Sequence, residues 1–323
     1  MHREFSLAAE PLPAGLSRSI VPRLQLGWRP CLLSVLAIGL VLMTALPSLA
    51  TEREERRLWE GDAPGALGSE AKDIPRLLVD LPSEEARNGT AFVVLPGGGY
   101  GGLAMGHEGD QIAEWLNSHG IASFICDYRH RGKGYGHPAP MLDAQRAIRI
   151  VRAHAEEFGI NPDRIGVIGF SAGGHLASTV STHFDAGDEA ADDPIDRVSC
   201  RPDFAVLCYP VISFDEPWTH RGSQRNLLGD DPDPELVREL SNEKSVTAEN
   251  PPTFLWHTTE DQVVPVENSL EFYRALKQHG VACELMVFQP GRHGLGLARG
   301  MRSVETWPDR LLDFLVSQKL LPE

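Results

Sequence analysis

Six short apolar runs, each followed by a longer stretch, limit the possible folds of this chain more than any other feature. They read AFVVLP (91–96), IASFICDY (121–128), RIGVIGF (164–170), FAVLCYP (204–210), TFLWHT (253–258) and CELMVFQ (283–289). Strands with one wet face alternate apolar and polar residues, whereas near-continuous hydrophobicity suits strands buried on both faces of a parallel sheet. Helical patterns lie between or after them: EGDQIAEWLNSHG (108–120), MLDAQRAIRIVRAHAEEFG (141–159), VENSLEFYRALKQHG (266–280) and VETWPDRLLDFLVSQ (304–318). The first three close on Gly120, Gly159 and Gly280, as helices commonly do. In the second, Ala144, Ala147, Ile148, Val151 and Ala155 line one face. Strand and helix in this order predict an α/β fold, a mostly parallel, doubly wound sheet with right-handed crossovers. Two stretches break the rhythm. Residues 51–88 are charged and punctuated by Pro and Gly, which predicts an arm or a pair of edge strands. Residues 212–250 are too long for a plain connection and predict an insertion with one or two short helices over the top of the sheet.

The first fifty residues differ in kind. Arg3, Arg18, Arg23 and Arg29 precede an apolar run from Cys31 to Leu46, and LPSLA follows with small residues at Ser48 and Ala50. Positive start, apolar core and small-residue cleavage site form a signal-peptide layout, with export and cleavage near Ala50 as the expectation. The alternative is an uncleaved membrane anchor, because an apolar run of about 16 residues approaches the ~17 needed to span a bilayer. Domain limits follow: a leader at 1–50, an N-terminal arm at 51–88 and a catalytic domain at 89–323.

Beyond the leader, 26 basic and 43 acidic residues leave a net charge of −17. A surface that acidic repels phosphate backbones, and no Lys/Arg cluster with interleaved aromatics offsets it, so nucleic acid is excluded as a partner. No stable membrane partner is expected once the leader is removed. Cys126, Cys200, Cys208 and Cys283 show no metal-ligand spacing. Cys126 and Cys283 fall in strand-like runs and read as buried thiols, while a Cys200–Cys208 link stays open.

The chemistry concentrates at the third run. GVIGFSAGGHLAS (166–178) places Gly169, Ser171 and Gly173 in a G-x-S-x-G pattern, and 31 glycines in the chain make that spacing weak by itself. Its context strengthens it. Ser171 follows a buried strand and opens a helix, where a nucleophile on a crowded, strained turn needs small neighbours. An N-cap role would account for Ser171 but not for both flanking glycines. A serine hydroxyl needs a base, and His293, on a Gly-flanked loop just past the last strand, is the best placed of twelve histidines. His257 sits in a strand, His279 ends a helix and His175 rides the helix after Ser171. The base needs an acid, and Asp261 begins the turn after the fifth run, with Glu260 as its competitor. The order Ser, Asp, His is that of α/β-hydrolases. In LPGGGYGG (95–102), Gly97, Gly98 and Gly99 leave backbone N–H groups to meet an oxyanion, with the Ala172 N–H as their partner. The stretch lacks both the G-x-G-x-x-G order and the P-loop Lys of nucleotide loops. Tyr100 and Trp218 are candidates to stack on a sugar ring. Glu108 reads as a first-turn helix acid. This chemistry calls for no metal and no cofactor.

These segments, together with DYRHRGKGYGHPAPMLDAQRAIRIVR (127–152), NPDRIGVIGFSAGGHLAS (161–178), RNLLGDDPDPELV (225–237) and HTTEDQVVPVENS (257–269), resemble secreted bacterial α/β-hydrolase carbohydrate esterases, in particular acetyl xylan and feruloyl esterase types. The resemblance runs from Ala91 to Leu315. It implies an α/β-hydrolase fold, a triad of Ser171, Asp261 and His293, and an oxyanion loop at Gly98 and Gly99. Pro96 stands where the wider lipase-like group has the histidine of an H-G-G-G motif, with little effect expected because the donors are backbone groups. The implied partner is an acylated carbohydrate, with acetyl as the expected acyl group on xylan or a similar plant polysaccharide. A feruloyl esterase or general carboxylesterase would use the same machinery. An oligopeptidase lacks room for a gating domain, since only about forty residues separate Ala50 from the first strand. A non-catalytic binder would not need the full set of reactive side chains.

Overall fold

In the computed structural model, which describes residues 53–321, each of the six apolar runs is a strand. They are β3 (Ala91–Leu95), β4 (Ala122–Asp127), β5 (Ile165–Phe170), β6 (Phe204–Cys208), β7 (Thr253–Thr258) and β8 (Cys283–Phe288). Two more precede them, β1 (Glu54–Arg57) and β2 (Arg76–Asp80), giving one eight-stranded sheet in the order β1-β2-β4-β3-β5-β6-β7-β8. From β4 to β8 all neighbours are parallel, while β1 and β2 run antiparallel at one edge. The region expected to be an arm or a pair of edge strands is therefore the latter, and it extends the sheet. The leader expected over residues 1–50, with its cleavage site, lies outside the described residues.

The pleat decides what each strand buries, because successive side chains point to opposite faces. Phe92 and Val94 of β3 join one core with Ile125, Ile168, Phe170, Phe204, Val206, Phe254 and Trp256. Ala91, Val93 and Leu95 join the other with Phe124, Val167, Ala205, Leu207 and Leu255. Helices α1 (Gln111–Ser118) and α8 (Trp307–Ser317) cover the first face through Ile112, Leu116, Leu311 and Phe314. The second face is covered by α2 (Ala139–Ala153), α4 (Ala172–Thr182) and α7 (Glu267–Gln278), through residues such as Ile148, Leu176 and Phe272. Full burial of such side chains contributes about 1.5–3 kcal/mol each. The helical pattern at 141–159 is interrupted at His154, after which a single turn, α3 (Ala155–Phe158), ends on left-handed Gly159. The insertion carries α5 (Arg221–Leu228) and α6 (Pro234–Glu239).

Strand β8 departs from expectation. It is the sheet edge, and its residues are half-buried or exposed, so Cys283 is partly exposed whereas Cys126 is buried. Cys200 and Cys208 are both free thiols, not a disulfide. Among the described residues no helix is long and apolar enough to cross a membrane.

Candidate active site

Ser171 occupies the turn between β5 and α4 with φ 55° and ψ −119°. A non-glycine residue reaches positive φ only where its surroundings impose it. Here three backbone hydrogen bonds do so. The Ser171 amide donates to the Cys208 carbonyl at 3.0 Å, and the Ser171 carbonyl accepts from Val211 at 3.0 Å and His175 at 3.1 Å. The glycines answer to sterics. A Cβ on Gly169 would overlap the Gly173 carbonyl, and one on Gly173 would overlap the Leu95 carbonyl. The turn is thus wedged between the ends of β3 and β6, and the serine Oγ is lifted above the sheet.

That Oγ lies 2.7 Å from Nε2 of His293, whose Nδ1 lies 2.6 Å from Oδ2 of Asp261. A carboxylate can only accept, so Nδ1 carries the proton and Nε2 offers its lone pair to the serine hydroxyl. The other carboxylate oxygen, Oδ1, accepts the amides of Val263 and Val264, both at 2.9 Å. Behind it sits buried His257, with Nδ1 2.8 Å from the Ser269 hydroxyl and Nε2 2.9 Å from the Val264 carbonyl. Its Nε2 also lies 3.4 Å from Asp261 Oδ2. Burial alone would push the Asp261 carboxyl up, but the hydrogen bonds from His257 and His293 outweigh it and hold the group well below the usual carboxylate range. Asp261 is an acceptor built to stay charged beside the imidazole. The competing Glu260 is exposed, and among the described residues its carboxylate reaches only the Gly291 amide, at 3.4 Å. His175 is fully buried inside the fold, between the Tyr100 hydroxyl and the Leu240 carbonyl, each at 2.8 Å.

The loop after β3 faces this relay. The Gly97 amide donates to Glu108 Oε2 at 2.8 Å. Among the described residues neither Gly98 nor Gly99 donates an amide hydrogen bond, and Ala172, the first residue of α4, has no carbonyl to bond. Gly98, Gly99 and Tyr100 have φ of 136°, 61° and 57°, and a Cβ on Gly98 would overlap the Gly102 carbonyl. Three successive residues with positive φ make a tight turn that leaves these two amides without a partner among the described residues. The loop is close to the elbow, since a Cβ on Gly97 would come within 2.9 Å of the Ser171 Cβ. Two loose amides and a helix N-terminus around a reactive hydroxyl form a pocket for developing negative charge.

One sequence expectation is corrected. Tyr100 is 1% exposed and its hydroxyl is bonded to His175, so its ring is closed to a sugar. Trp218 lines a separate cleft of about 380 Å³ with Glu216, Glu243, Lys244, Glu271 and Arg274, and none of the three relay residues lines it. Glu108, read as a first-turn helix acid, does lie in the first turn of a π-helical segment, Gly106–Asp110, where it is also buried. Other site residues went unnoticed in the sequence. Asn226 of α5 donates to the Gly99 carbonyl at 2.8 Å, and His220 caps the same helix with its ring next to Gly99. Their one available signal was membership of an insertion at the carboxyl edge of the sheet, where binding crevices form. Tyr209, immediately after β6, packs its ring edge-on against His293 with centroids 5.1 Å apart.

The sequence pattern of the BD-FAE family matches residues 77–276, most of the sheet with Ser171 and Asp261 included. The chain belongs to the BD-FAE family. This BD-FAE chain is 38% identical over 218 residues to an acetylxylan esterase of Xylanibacter ruminicola, an alignment covering 66% of the chain and 42% of that protein. It is 36% identical over 227 residues to endo-1,4-beta-xylanase B of Butyrivibrio fibrisolvens, covering 70% of the chain and 35% of that protein. It therefore spans less than half the length of both relatives. Among solved structures, the acetyl ester-xyloside bifunctional hydrolase of Caldicellulosiruptor lactoaceticus superposes with a TM-score of 0.79 at 47% identity. That match covers 85% of the BD-FAE chain and all of its counterpart. Esterase Est2 of Thermogutta terrifontis follows at 26% identity and TM-score 0.66, covering 83% and 93%. The fold is that of the α/β-hydrolase esterases.

Proposed function

We propose that this chain is a serine esterase that removes acetyl groups from xylan or its oligomers, exported from the cell by its leader. The observation that carries the reaction class is the continuous relay from Ser171 Oγ through His293 to Asp261, at 2.7 and 2.6 Å. The acyl-sugar assignment draws support from relatives whose names place them on xylan and acetyl esters.

The chemistry follows from the geometry. His293 Nε2 takes the Ser171 proton as Oγ bonds to the ester carbonyl carbon, and Asp261 stabilises the resulting imidazolium. The carbonyl oxygen gains the negative charge and meets the amides of Gly98, Gly99 and Ala172. Collapse of the tetrahedral adduct breaks the bond to the sugar oxygen, which leaves with the proton from His293. Acetyl-Ser171 remains. Water then gives a proton to His293 as it attacks the acyl carbon, and the second adduct breaks its bond to Oγ, which takes the proton back from His293 as acetic acid leaves.

The test is a panel of acetylated xylan, methyl ferulate and p-nitrophenyl butyrate on the chain from Thr51 to Glu323. Acetylated xylan should be the preferred substrate. Preference for methyl ferulate would make the chain a feruloyl esterase, and preference for the butyrate ester would remove the carbohydrate assignment. Ser171→Ala should lower turnover by at least ~10³-fold while the protein stays folded, because relay residues act as a unit. N-terminal sequencing of the exported protein should begin at Thr51, and a retained Met1 in the membrane fraction would show an anchor instead.

A further inference from the structure

The reaction proposed above needs two groups placed on one tetrahedral carbon at once: amides on its oxygen and an imidazole on its nucleophile. They come from loops nearly two hundred residues apart, and a misplacement of about 1 Å lowers rate on the order of 10²-fold. Behind Ser171 a buried chain of hydrogen bonds joins those two loops. Glu108, 2% exposed, accepts the Gly97 amide on Oε2 at 2.8 Å and the Tyr209 hydroxyl on Oε1 at 2.8 Å. The Tyr209 oxygen in turn accepts the Gly296 amide at 2.9 Å. Gly97 directly precedes the two loose amides, and Gly296 lies on the loop of His293, so one carboxylate spans the site from behind.

Both ends are tightly seated. A Cβ on Gly97 would meet Glu108 Oε2 at 2.7 Å, and a Cβ on Gly296 would meet the His107 carbonyl at 2.7 Å. The Gly296 carbonyl accepts from the Trp307 indole at 3.1 Å, so the glycine is held at both its amide and its carbonyl. Tyr209 does more than transmit the bond, because its ring abuts His293 and its backbone is held at φ 37°. An apolar side chain would fill the Glu108 position without the desolvation that a buried carboxylate entails. What an apolar group lacks is two directed acceptors, one for each loop.

We propose that Glu108 and Tyr209 are positioning residues that set the distance between the oxyanion amides and the His293 imidazole, an inference that rests on the esterase reading. Neither touches substrate. The experiment compares Tyr209→Phe, Glu108→Gln, Glu108→Leu and the Tyr209→Phe/Glu108→Leu pair in the intact chain, with p-nitrophenyl acetate as substrate and rates normalised to active sites titrated by a fluorophosphonate. Tyr209→Phe should lower kcat about 10–100-fold with KM within about twofold of wild type. Glu108→Leu should do the same. Glu108→Gln, which keeps one acceptor oxygen, should fall between Glu108→Leu and wild type. The pair should lose about as much as the worse single variant, as members of one unit do.

The proton between His293 Nδ1 and Asp261, in a 2.6 Å hydrogen bond, gives a far-downfield NMR resonance that should shift or broaden in Tyr209→Phe. That readout stands even if the wild-type chain hydrolyses no ester, an outcome that would sink the esterase reading but not the positioning. Normalised kcat values within twofold of wild type would overturn the proposal, as would losses that multiply in the pair or an unmoved resonance. If Glu108→Leu does not fold, Tyr209→Phe and Glu108→Gln decide it.

Discussion

Histidine 220 shows how one side chain can belong to a site that its local sequence does not announce. Its Nδ1 accepts from the Ser223 amide at 3.3 Å and lies 2.8 Å from the Ser223 hydroxyl. The proton of the neutral ring therefore sits on Nε2, which has no partner among the described residues. Burial, with His293 nearby, pushes its pKa down, so the ring stays a neutral N–H donor beside Gly99 under ordinary assay conditions. We expect His220→Ala to raise KM for acetylated xylo-oligosaccharides about tenfold, near the 1.4 kcal/mol of one good hydrogen bond, and to leave p-nitrophenyl acetate kinetics unchanged. Equal losses on both substrates would place His220 in support of the oxyanion loop and not in contact with sugar. The same scale explains the error over Tyr100: a hydroxyl with a buried histidine to satisfy points inward, whatever its neighbours in the loop.

Among the elements, the join between β4 and α2 rests on a buried ion pair. Arg129, just past β4, is fully buried with Asp143 of α2, which accepts from its Nη2 at 2.7 Å, its Nε at 3.0 Å and its amide at 2.7 Å. The guanidinium also donates to the Pro64 carbonyl at 2.8 Å and lies over the rings of Trp59 and Tyr135. The segment linking β1 to β2 is thereby fastened to the core. Removing one partner of a buried pair leaves the other charge uncompensated. Asp143→Asn should lower the unfolding free energy by about 3–5 kcal/mol in urea titration, and a loss below about 1 kcal/mol would show that the guanidinium finds water or another acceptor.

For the whole molecule, His175 ties stability to pH. It lies inside α4 at the centre of the fold, where burial drives its pKa from 6.5 to about 3. Between those values the unfolded chain binds a proton that the folded chain refuses, so stability is full above about pH 6.5 and falls as pH drops toward 3. The slope is about 1.4 kcal/mol per pH unit. His175→Gln lacks this titration. The stability gap between wild type and variant should narrow steadily from pH 6.5 to 4, and a constant gap would mean that the buried ring is already protonated. Asp261 acts in the same direction at lower pH, since its depressed pKa yields stability that acid removes.

The amino-acid sequence by itself determined the parallel core and the order of the reactive residues. Buried strands, helix stops and a glycine-flanked elbow are set by sterics and burial within a few residues, so AFVVLP and GFSAGG carry their own evidence. It left open whether residues 51–88 extend the sheet, because the charged EERR of β1 becomes a strand only by pairing with β2. It was silent on the link from Gly97 through Glu108 and Tyr209 to Gly296, and on His220. Those contacts depend on how loops distant along the chain approach one another above and behind the sheet, and only the closed tertiary structure decides which polar atoms meet there.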